Sequence, residues 1–453
     1  MPMRILHTSD WHLGRTFHGR ALDDAHAAFA DHLVGLVRTE RVDAVLVAGD
    51  VYDRAVPPTD SVRLLDETLR RLSERTRVVL TPGNHDSARR LGFAAELMGE
   101  GLVIRARTDA VHHAVVLPDA DGGPGALVYA LPYLDPDAAR ATLPRLLAEQ
   151  LGERSEDDGP AAGDGEPQPP RLARSHEAVV SGALRLVAAD LAARRAASPV
   201  RTPALVMAHA FVAPARTSED GSLSPAKDAP ATTQSERDIR VGGVDLVPSQ
   251  VFVTLGGSPL AAQAGGLDYV ALGHLHRPQA VHLPEALHAQ ARPVDTVLPV
   301  LRYCGSPLPF SFSEAPCAKS SVLIDVGACG VSSTELVPAP APHRIETVRA
   351  TMAELLSPRY DELTDAWLRV ELTGELPHGA LARLKQRFTH MLSFSRIAPT
   401  ARPHERVVIT RQADPVKVSE QFLAEVGGRE PSPAESAVLS EAYEAVRAAE
   451  RSL

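Results

Sequence analysis

The chain has 453 residues, of which 44% are hydrophobic and 23% charged, and a formal net charge of −10. These proportions exclude a disordered chain, and the length allows two or three domains around a large core. Net charge alone argues against a nucleic-acid binder, but carboxylates gathered at a metal site add negative charge that bound cations offset locally, so charge does not decide the class.

In chain order, the first apolar run, residues 3–9, reads as a strand and ends in Asp10-Trp11-His12. Residues two apart on extended backbone share a side, so Asp10 and His12 can reach one ion. Leu22, Ala25, Phe29, Leu33, Leu36 and Val37 recur at helical spacing over residues 21–41. A second run, 45–48, ends in Gly49-Asp50-Val51-Tyr52-Asp53. A helix capped by Thr59 or Asp60 follows, with Val62, Leu65 and Leu69 on one face. The third run, 78–82, closes on Gly83-Asn84-His85-Asp86-Ser87, and Ser87 opens another helix with Leu91, Ala94, Ala95 and Met98 apolar. Runs at 102–104, 114–117 and 126–131 are expected to build a second, more antiparallel sheet.

Residues 152–170 are rich in Gly, Pro, Asp and Glu and read as a mobile surface loop. A helical pattern over 178–196 leads to the run 204–208, which ends in His209. Residues 214–235 lack periodicity and read as slack or as a loop touching substrate. The run 269–272 ends in Gly273-His274-Leu275-His276. A strand at 321–326 ends the first domain, and 338–342, Pro-Ala-Pro-Ala-Pro, reads as a linker. Strand-like and helix-like runs at 345–348, 366–372, 380–388 and 406–409 suffice for a small α+β domain. The tail reads as two amphipathic helices, one presenting Phe422, Leu423 and Val426, the other Val438, Leu439, Ala442, Tyr443 and Val446. Such faces must pack on the same chain or on a partner.

Cys304, Cys317 and Cys329 form no CxxC pair and read as buried free thiols in a reducing cytosol. With no leader-like segment and no apolar run near the roughly 20 residues that span a bilayer, a cytoplasmic protein without membrane attachment is expected. His18, His26, His32, His112, His113 and His390 lie off the strand-end pattern and read as surface groups, whereas Lys319 and Ser306 are open candidates for phosphate contact.

Five apolar runs thus end in Asp, His or Asn, and α/β sheets collect ligands at the carboxyl ends of their strands. Asp, His and Asn suit Mn, Fe or Zn, and the absence of Cys among them argues against a structural zinc site. Asp10, His12, Asp50, Asn84, His209, His274 and His276 are too many for one tetrahedral ion but suit two ions sharing a carboxylate. Two ions about 3.5–4 Å apart fit hydrolysis at phosphorus, and His85, beside Asn84, is free to protonate a leaving oxygen.

Asp10-x-His12, Gly49-Asp50, Gly83-Asn84-His85-Asp86, His209 and Gly273-His274-Leu275-His276 resemble the calcineurin-like metallophosphoesterase superfamily in order and spacing. Within it the chain is most similar to the SbcD-type nucleases of bacteria, kin to the Mre nucleases. That likeness is carried by Thr8–Gly14, by Gly49–Asp53 and Gly83–Ser87, by Gly273–Gln279, and by the runs 303–314 and 428–432. The resemblance implies an α/β fold, with a two-sheet α/β-sandwich metallophosphoesterase domain over 1–337, an α+β cap that binds DNA over 343–410, and a helical tail over 416–451. It implies that Asp10, His12, Asp50 and His276 hold one ion and Asp50, Asn84, His209 and His274 the other, with His85 as catalytic acid and Asp53 and Asp86 orienting ligands from behind. It further implies manganese, DNA cleavage as exonuclease and endonuclease in repair, recombination and replication, an ATPase partner SbcC on the tail helices, and a dimer of nuclease subunits within a heterotetramer. The helices after Asp50 and after His85 lie where that family dimerises. Cys304 stands where Ser is expected, and 254–266 reads as an extra loop. The alternative is a phosphatase on the same scaffold, which would have no use for a cap and a two-helix tail.

Overall fold

The computed structural model describes residues 2–119, 121–153, 171–217, 223–226, 229–232, 246–285, 287, 298–397, 415–427 and 431–450. Contacts divide the chain into two units, Met1–Ser395 and Arg396–Leu453.

The first unit is built on two six-stranded mixed sheets. One runs in the order Gly330–Pro338, Ser320–Gly327, Met3–Thr8, Ala44–Ala48, Arg77–Thr81, Leu102–Ile104. The other runs Gln279–Val281, Val300–Tyr303, Tyr269–Gly273, Ala204–His209, Pro124–Ala130, Val115–Pro118. Side chains alternate across each strand, and here both faces are apolar because both are covered. Ile5, Leu46, Leu205, Met207, Tyr269 and Ala271 meet in the core between the sheets. Their neighbours Leu6, Val45 and Val47 pack outward with Phe29, Leu33 and Leu65 from the helices Asp23–Thr39 and Thr59–Ser73. On the far side Val206 and Val270 pack against Leu143, Leu184 and Val187 of the helices Pro136–Leu151 and His176–Ala196. The result is an α/β sandwich of helix, sheet, sheet and helix layers, with all the chemistry-bearing strand ends at one edge.

Several local expectations are corrected. Leu102–Ile104 joins the first sheet as a parallel edge strand beside Arg77–Thr81. The second sheet is no more antiparallel than the first, since Pro124–Ala130, Ala204–His209, Tyr269–Gly273 and Val300–Tyr303 pair in parallel. Pairing partners are a tertiary choice that a short apolar run does not encode. The helix expected from Ser87 stops after Ala88–Leu91, because Ala94 is left-handed (φ 60°) and turns the chain into a short 3-10 segment. The helix Thr59–Ser73 is entered from Pro58 with no side-chain cap. Residues 254–266 are not a plain loop: Ala261–Ala264 is a short helix, and Leu255 and Ala264 lie in the outer core. Ala215–Thr217 and Leu223–Pro225 pair as a small ladder inside the segment expected to be irregular. His26 and His112 are buried, His26 against the Trp11 carbonyl at 3.0 Å, so neither is a surface group. All three cysteines are free, but only Cys304 is buried, and Cys329 is exposed.

Ile345–Ala350, Trp367–Thr373 and Met391–Ile397 form a three-stranded sheet with the helix Ala380–Arg387, and Val348, Leu355, Leu368, Val370, Leu384 and Phe388 make a core of their own. Met391–Ile397 was not foreseen; the strand expected at 406–409 and the body of the 152–170 loop lie outside the described residues. The second unit contains two helices, Pro415–Gly427 and Pro433–Glu450. Ser432 opens the latter with a capping box, its hydroxyl accepting from Glu435 N while the Glu435 carboxylate accepts from Ser432 N at 2.7 Å. Among the described residues no helix is long and apolar enough to cross a membrane.

Candidate metal centre

The five strand ends converge. Asp10 and His12 follow the strand Met3–Thr8, Asp50 follows Ala44–Ala48, and Asn84 and His85 follow Arg77–Thr81; His209 ends one strand of the second sheet, and His274 and His276 follow another. The loops are stitched by backbone bonds, Asp10 N to Gly49 O and His12 N to Asp50 O, both at 3.0 Å. Asp86 ties the second loop to the third by accepting from Val51 N (3.0 Å), Tyr52 N (2.9 Å) and Gly83 N (2.9 Å). The motif glycines are needed for close approach: a methyl group on Gly83 would strike Asp50 Oδ1, and one on Gly273 would strike the Ala48 carbonyl oxygen.

Four candidate ligands sit in left-handed backbone, namely Asp10 (φ 54°), His12 (φ 46°), Asp50 (φ 49°) and His274 (φ 101°). Non-glycine residues there cost about 1–3 kcal/mol each and persist where the surroundings hold them, a signature of functional sites.

Asp50 Oδ2 lies between the two halves, 3.6 Å from His12 Nε2 and 3.4 Å from His209 Nε2. On one side His12 Nε2 faces His276 Nε2 at 3.2 Å, with Asp10 in the same cluster. On the other, Asn84 Oδ1 is 3.0 Å from His209 Nε2 and 3.1 Å from His274 Nδ1. Asp10 accepts from His274 N at 3.0 Å, which locks the two sheets' loops together. The sequence-derived residues are therefore in one place, and their nitrogen and oxygen donors point at one another. Each of these imidazole nitrogens, with the Asn84 and Asp50 oxygens, can present a lone pair to a cation set among them, and this donor set fits divalent ions of the Mn, Fe, Zn class.

The electrostatics agree. Burial would push the Asp50 carboxyl up, but His209 and His12 hold it well below the usual carboxylate range. Burial alone would depress His209, and Asp50, with Asp10 behind it, reverses this and raises the ring to about 9. Asp10 goes up, through burial and the nearby Asp50 charge. His12 is held well below its ordinary value by burial, with His276 and Arg15 adding to it. Two carboxylates this deep require positive charge nearby.

His85 is anchored through Nδ1 to the Asp53 carbonyl oxygen at 2.8 Å, and its ring stands edge-on to His12, centroids 4.8 Å apart. Asp53 Oδ1 is 3.6 Å from His12 Nδ1 and 3.2 Å from Arg15 Nη1. Lys319 and Ser306 are not phosphate contacts: both are buried and bonded to each other at 2.8 Å. Sequence reasoning missed Arg15, whose guanidinium lies 4.8 Å over the Phe310 ring, and Phe310 itself, edge-on to His12 (5.1 Å) and His276 (5.3 Å). It missed the role of Glu314 as well. Phe310 and Glu314 lie in the run 303–314 that carries the family likeness, which was the one available signal.

A profile of the family described as calcineurin-like phosphoesterase matches residues 3–121. The SbcD component of the nuclease SbcCD from Rhodobacter capsulatus is 34% identical over 351 residues, covering 75% of this chain and 70% of that protein. The chain belongs to the SbcD family. The SbcD component of the Escherichia coli enzyme is 28% identical over 436 residues, covering 94% of this chain and 92% of that one. The likeness to SbcD therefore leaves too few residues unmatched to omit the Arg396–Leu453 unit. A solved dimetal phosphatase from Danio rerio covers 75% of this chain and 100% of its own, at 12% identity and a TM-score of 0.38, too distant to bear on function.

Proposed function

We propose that the chain is the nuclease subunit of an SbcCD-type complex and hydrolyses DNA phosphodiester bonds with two divalent cations. The observation that carries the reading is Asp50, one buried carboxylate oxygen within reach of a histidine from each half of the centre. Asp10, His12, Asp50 and His276 would hold the first ion, and Asp50, Asn84, His209 and His274 the second, with manganese as the metal. When bound, such a pair supplies an activated water and Lewis-acid stabilisation of charge on phosphoryl oxygens. The chain's own groups do the rest. Asp86 fixes the Asp50 and Asn84 loops together, Asp53 steers His12, and the anchored His85 ring directs Nε2 to the leaving oxygen and gives it a proton.

The substrate range is exonuclease action on duplex ends and endonuclease action on single strands or hairpins, with 343–410 as the cap that meets DNA. The tail helices dock SbcC; Phe422 and Val438 are exposed on them, as that role requires. Val62, Phe93 and Leu97, exposed after the Asp50 and His85 loops, support a homodimer through that face.

The test is cleavage of a labelled DNA hairpin by metal-stripped protein with Mn²⁺ restored, with and without SbcC, beside p-nitrophenyl phosphate. Mn²⁺-dependent DNA cleavage that rises with SbcC is expected. Phosphomonoester turnover with intact DNA overturns the substrate and leaves the metal centre standing.

A further inference from the structure

Behind His276 lies a buried ion pair that the reaction as described does not use. Glu314 is 1% exposed, Lys319 is 8% exposed, and their charged atoms meet at 2.7 Å. Burying two charges costs several kcal/mol per ion, and a well-packed apolar pair in their place is often as stable or more so, so stability alone does not account for them.

Their remaining bonds do. Glu314 Oε1 lies 3.4 Å from His276 Nδ1 and accepts from Ser311 Oγ at 3.2 Å, while Oε2 accepts from Phe310 N at 3.3 Å. Lys319 Nζ donates to the His276 carbonyl at 2.9 Å and to Ser306 Oγ at 2.8 Å. The pair thus grips His276 at both ends, its ring through Glu314 and its backbone through Lys319. A carboxylate at Nδ1 selects the tautomer with hydrogen on that nitrogen, which leaves the lone pair of Nε2 directed toward His12 Nε2, 3.2 Å away.

We propose that Glu314 and Lys319 are a positioning pair for His276: Glu314 sets the ring's tautomer and aim and makes Nε2 a better donor, and Lys319 holds the Glu314 carboxylate in place and fixes the His276 backbone. This rests on the reading of His276 as a ligand of the first ion. It also gives the run 303–314 a purpose, because Phe310, Ser311 and Glu314 close around the ring from one loop. Both residues are buried, so their part is to position His276.

The experiment is a Mn²⁺ titration of the metal-stripped full chain, followed by the electron paramagnetic resonance of free Mn²⁺, with thermal unfolding in parallel. The double variant Glu314→Gln/Lys319→Met removes both charges at nearly constant volume and is expected to keep its melting temperature. One of the two Mn²⁺ sites should weaken about 10–100-fold while the other is unchanged. Glu314→Asp keeps the charge and shortens its reach, and it should weaken the same site, so the test survives if the double variant does not fold. Two sites of unaltered affinity in a folded variant overturn the positioning role. His276→Ala separates the two readings. If it removes one site and the Glu314 variants do not weaken that site, the pair is merely structural; if it leaves both sites intact, the ligand reading itself is wrong.

Discussion

Each half of the candidate metal centre sets two histidines beside the shared Asp50, and the two halves are backed differently. On one side the far nitrogens of His12 and His276 meet carboxylates, Asp53 at 3.6 Å and Glu314 at 3.4 Å, and each carboxylate has a cation behind it, Arg15 or Lys319. On the other, His209 rests its Nδ1 on the Ala48 carbonyl at 3.0 Å, and His274 turns Nδ1 toward Asn84. A carboxylate behind an imidazole makes it a more basic donor than a carbonyl does. The first half is therefore charge-backed and adjustable through side chains, while in the second His209 is set by backbone and changes only if the strands move. Burial and Lys319 compete at Glu314, burial raising its carboxyl, and Lys319 together with His276 prevails and holds it far below the ordinary value, so the backing stays ionised.

The largest expected effect comes from the group both halves share. Asp50→Asn should lose both classes of Mn²⁺ site and, with several kcal/mol of Lewis-acid stabilisation gone, slow hairpin cleavage roughly 10³-fold or more; two intact sites by calorimetry would show the halves to be independent. Next is His85→Ala, which belongs to neither half. It should retain two ions and lose about 10²–10⁴-fold in rate, and full activity would remove the acid role. Asp53→Asn should weaken one ion by about 10-fold at most, being partly exposed, whereas His209→Asn should abolish the other. Equal effects of these two on both ions would erase the asymmetry.

The smallest effect concerns a histidine with no carboxylate behind it. His7 is fully buried beneath the centre with Nδ1 on the Tyr269 hydroxyl at 3.1 Å, and burial lowers its pKa to about 3. The unfolded chain takes up this proton first, near pH 6.5, so His7 contributes stability above that pH and the contribution is lost as pH falls toward 3. Denaturant melts of His7→Gln across that window should fall less steeply with acid than those of the unaltered chain. Parallel curves would mean that His7 takes up its proton at the same pH in the folded and unfolded states.

Strand ends were readable because each apolar run stops at an Asp, His or Asn, and a buried strand that opens into a polar tight loop is what a sheet-edge ligand site requires. Asp10, Asp50, Asn84, His209 and His274 came from that pattern alone. What sequence did not carry was pairing and depth. Leu102–Ile104 looks the same whether it joins one sheet or the other, and only its place beside Arg77–Thr81 decides. His26 reads as a solvated group on a helix, yet the helix turns it onto the Trp11 carbonyl. Glu314 and Lys319 are five apart in a loop, where no periodicity announces a contact, and a lysine near a phosphoesterase site invites the reading of a phosphate ligand. The Ala94 break is equally silent, since alanine favours the helix that the fold there refuses.

The left-handed backbone at Asp10, His12, Asp50 and His274 also fixes how this protein responds to selection for heat resistance. Glycine at any of these four positions relieves backbone strain in the native state, so a screen that scores only folded protein at high temperature is drawn to the positions where each gain removes a donor from the centre. Durability and cleavage are set against each other at the same residues, and a more robust nuclease has to be sought in the outer helices.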